Sequence, residues 1–162
     1  MKRHVYILGV LLFLITSFSF TIGAEEVKSL KELKKRVKDE PENGDAWVVL
    51  GFGYLEDGQV KEAKGAFEKG VQYGKSAAAY TGLGIVYTRM GKGLGQKAFR
   101  TFRMALGVDP NYVDAYMEIA RLHVKMGEAD AEAAFKRVIA IDSTYAPAYL
   151  EFMNWHADQD YY

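Results

Sequence analysis

Two stretches of apolar residues at helical spacing lie between residues 45 and 75, separated by a polar turn. The first stretch has an aromatic residue, an aliphatic residue three positions on, a small residue four on and a ring seven on: Trp47, Leu50, Gly51 and Tyr54. The second stretch has Ala63, Phe67 and Gly70. The turn contains Gly58, which suits a left-handed helix end. This pattern predicts a helical hairpin with more apolar surface than it can bury alone.

The hairpin pattern recurs along the chain, and its leading aromatic residues are 33, 36 and 33 positions apart. The first-helix copies are Tyr80, Leu83, Gly84, Tyr87; Tyr116, Ile119, Ala120, His123; and Tyr149, Phe152, Met153, His156. The second-helix copies are Ala98, Phe102, Ala105; and Ala131, Phe135, Val138. A period in the mid-thirties with two helices per unit is typical of a solenoid of stacked hairpins.

At these positions the chain resembles the tetratricopeptide repeat (TPR) family over residues 40–158. The family places a proline in the closing turn, and Pro110 follows Phe102 by eight residues. Lys75 and Ser143 occupy the other two equivalent positions, so those turns depart from the family pattern. The resemblance implies an all-α, right-handed α-solenoid of helix-turn-helix hairpins, with about three TPR units, a leading helix and a trailing helix. The hairpins are expected at 45–73, 77–107 and 112–140.

The N-terminal segment predicts export. A basic start at Lys2 and Arg3 precedes an apolar run and a small residue at Ala24, which is typical of a secretory signal peptide over residues 1–24. The alternative is an uncleaved membrane anchor at residues 5–22, a stretch of 18 residues. Both interpretations place the repeats outside the cytoplasm, in a periplasmic or secreted protein. If the leader is cleaved, no membrane insertion of the mature chain is expected.

The remaining chain divides into a leading helix and the repeats. Residues 25–40 form a predicted capping helix, where Ser29 and Glu32 can form a capping box. Its lysines and arginine form either a solvated face or a partner patch. Residues 41–162 form the predicted solenoid, whose last helix, at about 145–157, has no second helix to cover it. That helix is either a solubilising end or, with exposed rings at Trp155, Tyr161 and Tyr162, a docking surface for a partner or second copy.

Composition and charge exclude several classes of function. The chain has 21 basic and 21 acidic residues, and removal of the leader takes Lys2 and Arg3 and leaves 19 against 21. A nucleic-acid partner would need a basic surplus concentrated on one face, so none is expected. The chain has no cysteine, which excludes disulfides, thiol nucleophiles and cysteine-based metal sites.

No catalytic constellation is visible, and we expect no enzyme activity, cofactor or metal. His123 and His156 occupy the ring position of the first-helix pattern, which suggests packing, and no carboxylate is spaced to complete a metal site with them. Outside the leader the serines are Ser29, Ser76 and Ser143. All three lie at predicted helix starts or closing turns, where serine caps a helix, and none has a base at recognisable spacing.

The predicted binding face is the concave side of the solenoid, lined by the first helices. If the leading aromatics point into the stack, the residues one, five and eight positions further on face the groove. These are Val48, Phe52, Leu55; Thr81, Ile85, Thr88; Met117, Arg121, Val124; and Leu150, Asn154, Ala157. The first three sets are largely apolar, with Arg121 as their lone charge. The sequence thus predicts an apolar groove, unless the leading helix folds over it.

The groove favours a non-catalytic adaptor that holds a protein or peptide segment. TPR proteins that bind a chaperone's C-terminal carboxylate use a lysine-and-asparagine clamp, which Val48, Phe52, Thr81 and Ile85 do not supply. The alternative function is a self-assembling module, a homo-oligomer formed through the uncapped C-terminal helix.

Overall fold

The computed structural model describes residues 29–159 apart from Lys92 and Ala129. Eight α-helices occupy this part: α1 Leu30–Asp39, α2 Gly44–Glu56, α3 Val60–Tyr73, α4 Ala77–Met90, α5 Gly95–Val108, α6 Val113–Met126, α7 Ala131–Ile141 and α8 Ala146–Gln159. No strand occurs within these described residues. The predicted leader at residues 1–24, together with Tyr161 and Tyr162, lies outside them.

The helices pair into three hairpins, α2–α3, α4–α5 and α6–α7, preceded by α1 and followed by α8. Their bounds agree with the predicted hairpins to within one residue at each end. The first helices of successive hairpins also contact one another, α2 with α4 and α4 with α6. We call α2, α4, α6 and α8 the inner helices and α1, α3, α5 and α7 the outer helices. The architecture is an α-solenoid of helical hairpins, as the sequence predicts.

A fully buried phenylalanine anchors the outer helix of each hairpin, at Phe67, Phe102 and Phe135. The rings lie where the inner helices have small residues. A Cβ atom added at Gly51 would lie 2.7 Å from the Phe67 ring, and one at Gly84 would lie 2.3 Å from the Phe102 ring. The small residue of the first-helix pattern therefore makes room for the phenylalanine ring of the second helix, which packs directly against it. Close packing of this kind fixes the distance between the two helices of a hairpin.

Phe67 also contacts the next hairpin. A Cβ atom added at Gly82, in α4, would lie 2.1 Å from the same Phe67 ring. One side chain therefore fills a notch formed by the inner helices of two successive hairpins. The repeat pattern contains Gly51 and Gly84, whereas Gly82 lies outside it. The ring thereby links neighbouring hairpins as well as the two helices of its own.

The turns and caps follow local sequence rules. Gly58 has φ 72°, the left-handed conformation that the turn after α2 was expected to need. Ser76 caps α4 by accepting a hydrogen bond from the Ala79 amide at 3.2 Å. At the start of α1, Ser29 and Glu32 form the predicted capping box, since each side chain accepts from the amide of the other residue.

The two end helices differ in how much apolar surface they leave exposed. Leu33 and Val37 of α1 are buried against the first hairpin. In α8, Phe152 packs against Phe135 with ring centroids 5.5 Å apart, but Leu150 is 63% exposed and Met153 is 67% exposed. No helix in the described part of the chain is both long enough and apolar enough to cross a bilayer.

The leading aromatics of the three hairpins face the stack. Trp47, Tyr80 and Tyr116 are partly buried and pack against the core. The Trp47 indole also donates a hydrogen bond to the Pro41 carbonyl at 2.7 Å. Tyr149, at the start of the unpaired α8, is the more exposed member of the series. The inner helices therefore turn to the core the side that the repeat pattern predicts.

We expect Thr81→Val to raise the free energy of unfolding by about 1 kcal/mol. Thr81 is buried, and its hydroxyl has no hydrogen-bond partner among the described residues. Valine keeps the branched shape and removes the unsatisfied oxygen. Urea denaturation followed by circular dichroism measures the change.

Thr101→Val is the matched control, because the buried Thr101 hydroxyl donates to the Lys97 carbonyl at 2.8 Å. That variant loses a hydrogen bond and should show no gain in stability. An equal gain in both variants would show that hydroxyl satisfaction is not the cause.

Candidate functional site

A cavity of about 490 Å³ opens between the inner helices α2, α4 and α6. It is lined by Phe52, Leu55, Glu56, Ile85, Thr88, Arg89, Glu118, Arg121 and Lys125. Among the described residues, none of α1 lines the cavity, because α1 packs at the N-terminal end of the stack. The alternative, in which the leading helix folds over the groove, therefore does not apply to this cavity.

Five of the twelve sequence-predicted groove residues meet in this cavity. All five stand five or eight positions after a leading aromatic: Phe52, Leu55, Ile85, Thr88 and Arg121. Leu150 and Asn154 are exposed on α8 but do not line the cavity. Whether any of these residues contacts a partner stays a prediction.

The residues one position after a leading aromatic do not face an open groove. Val48, Thr81 and Met117 are buried. The inner helix of the following repeat covers this position, so that Val48 shares a core cluster with Ala79 and Met117 shares one with Ala148. The prediction that these three residues line the accessible surface was wrong because it treated each inner helix as though it had no successor.

The floor of the cavity is apolar and held by the core. The Phe52 ring meets the Phe67 ring edge-on, with centroids 5.0 Å apart. Ile85 packs partly against two core clusters, one on each side of α4. Both side chains are only partly buried, so they offer apolar surface at positions fixed by the stack.

The other half of the cavity is charged, and Arg121 is not the lone charge that the sequence suggested. Its guanidinium donates to Glu151 of α8 from Nε at 2.9 Å and from Nη2 at 2.6 Å, and Nη1 donates to Glu118. These hydrogen bonds, first the one to Glu151, raise the pKa of Arg121 further above its usual range. Arg121 therefore connects α6 to α8 through a bidentate ion pair.

Burial dominates the electrostatics of Glu118. It raises the pKa of the Glu118 carboxyl, and the adjacent Arg121 guanidinium opposes that rise only in part. The side chain is 16% exposed, whereas its partner Arg121 is 44% exposed. The ionised carboxylate is thus held at a cost in desolvation.

Two further cations join successive hairpins at the cavity rim. Arg89 of α4 donates to the Leu55 carbonyl of α2 at 2.7 Å, and Lys125 of α6 donates to the Thr88 carbonyl of α4 at 3.3 Å. Both stand nine positions after a leading aromatic. This ninth position is absent from the predicted groove, although it lies one helical turn beyond the fifth and on the same face.

Several solved structures have a fold similar to that of this chain. No protein-family model and no curated protein sequence matches the chain. Among solved structures, MamA superposes with a TM-score of 0.64 at 26% identity, covering 81% of this chain and 77% of MamA. TTC0263, described as a thermophilic TPR protein of Thermus thermophilus, has a TM-score of 0.68 at 21% identity, over 96% of this chain and 86% of its own. YrrB, described as a TPR protein with an unusual peptide-binding site, has a TM-score of 0.57 at 22% identity, over 81% and 68%.

These similarities extend over most of the chain and coincide with its own three phased repeats. The chain has the fold of TPR proteins. The two closing turns that lack the proline of the TPR pattern have local explanations in this chain. Lys75 has φ 46°, which proline cannot adopt. At Ser143 the preceding Asp142 accepts from the Thr144 amide at 2.8 Å, just as Asp109 accepts from the Asn111 amide at 2.9 Å around Pro110.

His123 and His156 pack against aromatic rings. His123 meets the Phe99 ring edge-on at 5.6 Å, and its Nδ1 lies 2.5 Å from a Glu128 carboxylate oxygen. Helical spacing does not predict this carboxylate for His123, because Glu128 reaches the ring across the turn after α6. Among the residues that the structure places, no three histidine, aspartate or glutamate side chains converge as metal ligands would.

We expect the stability of the Glu118→Gln variant, relative to the parent protein, to increase as the pH rises from about 4 to about 7. A carboxyl with a raised folded-state pKa stabilises the fold below its unfolded pKa, and that stability is lost as the pH rises through the folded pKa. The difference in Tm, variant minus parent, should therefore increase with pH in thermal unfolding followed by circular dichroism.

Glu132→Gln supplies the opposite sign as a control. The hydrogen bond from Lys136 lowers the pKa of Glu132, so the parent gains stability from ionisation and the same difference should fall as the pH rises. A parallel trend in both variants would contradict the assignment of burial as the cause at Glu118.

Proposed function

We propose that this protein is a non-catalytic scaffold that acts outside the cytoplasm and holds a segment of a partner protein in the cavity between its inner helices. The observation that supports the proposal most strongly is the fixed apolar floor of Phe52 and Ile85 in a cavity of about 490 Å³. That volume lies in the range of ligand pockets, where a mostly apolar lining with a few polar groups is usual. The peptide-binding site named for the similar fold of YrrB fits the same proposal.

The charges at the rim favour recognition of an apolar segment over an acidic one. Arg89 and Lys125 already donate to carbonyl groups, and Arg121 is paired with two carboxylates. An incoming carboxylate would have to displace these partners, whereas an apolar side chain on the floor displaces only water. The partner segment is thus one whose apolar residue inserts between Phe52 and Ile85, with polar backbone near the rim.

Action outside the cytoplasm rests on residues 1–24, whose basic start, apolar run and small residue before Glu25 suit a cleaved leader. The repeats can fold in either compartment, since they contain no cysteine and need no disulfide.

Self-association through α8 is the alternative function, and one observation favours it. Leu150 and Met153 are the two most exposed large apolar residues of the described chain, and both lie on α8. A contiguous apolar surface of this kind marks an interaction site more often than an isolated exposed residue does.

We expect a photo-crosslinking residue at Ile85 to form discrete adducts with another protein in cells, and the same residue at Met104 of α5 to form none of them. Phe52→Asp in the Ile85 background should lower the adduct yield about tenfold or more, because a charge on the floor excludes an apolar side chain. Circular dichroism of the purified variant checks that helicity is retained.

A crosslinker at Leu150 tests the alternative in the same experiment. Adducts at the mass of two copies from Leu150, with none from Ile85, would favour self-association. Identical adduct patterns from Ile85 and Met104 would contradict binding in the cavity.

A further inference from the structure

Charge is segregated between the two layers of the solenoid. The four outer helices, α1, α3, α5 and α7, carry 13 basic residues against 5 acidic ones. The four inner helices carry 3 basic residues against 6 acidic ones. The expectation of no nucleic-acid partner rested on the absence of a basic surplus on one face. The formal neutrality of the whole chain conceals the surplus on the outer face.

The outer helix α5 concentrates this charge. It has three cations, Lys97, Arg100 and Arg103, and no acidic residue. All three side chains are exposed. On α3 and α7, by contrast, cations have partners on their own helices, with Lys64 at 2.5 Å from Glu68 and Lys136 at 2.6 Å from Glu132.

The α5 cations have no carboxylate partner among the residues that the structure describes. Within residues 29–159, leaving aside positions 92 and 129, no ion pair forms at Lys97, Arg100 or Arg103. Lys97 lies over the Tyr87 ring, 4.2 Å from its centroid, a contact that leaves the positive charge in place. The helix therefore presents its full positive charge to solvent.

Apolar side chains lie among these cations. Met104 is 52% exposed and Val108 is 49% exposed, and both follow Arg100 at spacings of four residues, along one side of the helix. The core side of α5 is occupied by Ala98, Phe102 and Ala105, which are buried. The solvent face of α5 is thus both cationic and apolar, the combination found on helices that lie at a lipid interface.

We propose that the outer face of the solenoid, centred on α5, binds the surface of an anionic lipid bilayer. Lysine and arginine side chains are attracted to anionic headgroups, and Met104 and Val108 gain apolar burial at the boundary with the acyl chains. A nucleic-acid backbone would satisfy the cations but would leave both apolar side chains without a partner. The two exposed apolar residues therefore favour lipid over nucleic acid.

This surface is separate from the cavity of the proposed function. The cavity is lined by residues of α2, α4 and α6, and the outer helices contribute none of the lining residues that the structure describes. A bilayer under α5 leaves the inner side open, so lipid and a protein segment can be bound at the same time. The inference does not depend on whether the cavity binds a partner.

A fluorescent probe tests the orientation on lipid in the mature chain, residues 25–162, which lacks the apolar leader. The chain has no cysteine, so Met104→Cys and Leu150→Cys each give one labelling site, on the outer face and on α8 respectively. With vesicles of phosphatidylcholine and about 30 mol% phosphatidylglycerol, a polarity-sensitive dye at Met104→Cys should shift its emission to the blue, and a dye at Leu150→Cys should not. About 0.5 M NaCl should remove the shift, since it screens exposed charges.

Two charge-matched variants, each in the Met104→Cys background, identify the cause. The triple variant Lys97→Gln, Arg100→Gln, Arg103→Gln removes three positive charges from α5. The triple variant Val124→Glu, Leu150→Glu, Asn154→Glu adds three negative charges on exposed inner-helix positions and so reaches the same net charge. The first should weaken vesicle binding about a hundredfold, because each cation near an anionic surface contributes about fivefold. The second should weaken it much less.

Any of four results overturns the proposal. The first three are a shift at Leu150→Cys without one at Met104→Cys, equal weakening in the two charge-matched variants that retain their helicity, and tighter binding to a duplex DNA than to the vesicles in the same buffer. Binding to pure phosphatidylcholine vesicles with equal strength would also overturn it, since the charge would then have no role.

Discussion

The ring of Phe67 lies against Gly51 of its own hairpin and against Gly82 of the next, close enough that a Cβ atom at either position would overlap it. A fully buried phenylalanine contributes about 1.5–3 kcal/mol to stability, and here one side chain serves two interfaces. Because the ring is rigid, its seat fixes the spacing of α2, α3 and α4 together. Phe102 against Gly84 continues the arrangement in the second hairpin.

The same packing produces two different surfaces. Small residues bring the inner helices close together, and their remaining exposed side chains converge on one cavity floored by Phe52 and Ile85. The outer helices bury the side that carries the phenylalanine and expose the opposite side to solvent. Charged side chains are tolerated on that exposed side because they do not have to pack in the core. The positive charge gathers there, on helices such as α1 and α5. The described part of this repeat protein thus has an inner side of mixed, internally paired charge and an outer side with unpaired cations.

The sequence was sufficient to predict the fold because each rule acts within one hairpin. Helical spacing, the left-handed Gly58 and the Ser29 capping box depend on residues that are close along the chain, and all are observed. The groove was predicted only in part, since Val48, Thr81 and Met117 are covered by the next repeat, a contact that a single-helix argument omits. The Arg121 network was missed for a similar reason, because Glu151 lies 30 residues away. Gly82 gave no signal in the repeat pattern, although the Phe67 ring depends on it.

The most direct test of the stacking account is the free energy of unfolding of Gly82→Ala compared with Gly65→Ala. Both glycines lie in helices, but a Cβ at Gly82 would meet the Phe67 ring at 2.1 Å, whereas the described residues leave open space around Gly65. We expect Gly82→Ala to lose about 1–3 kcal/mol through overpacking, and Gly65→Ala to gain up to about 1 kcal/mol through improved helix propensity. A gain in both variants would contradict the claim that the Phe67 ring, seated between two inner helices, holds successive hairpins together.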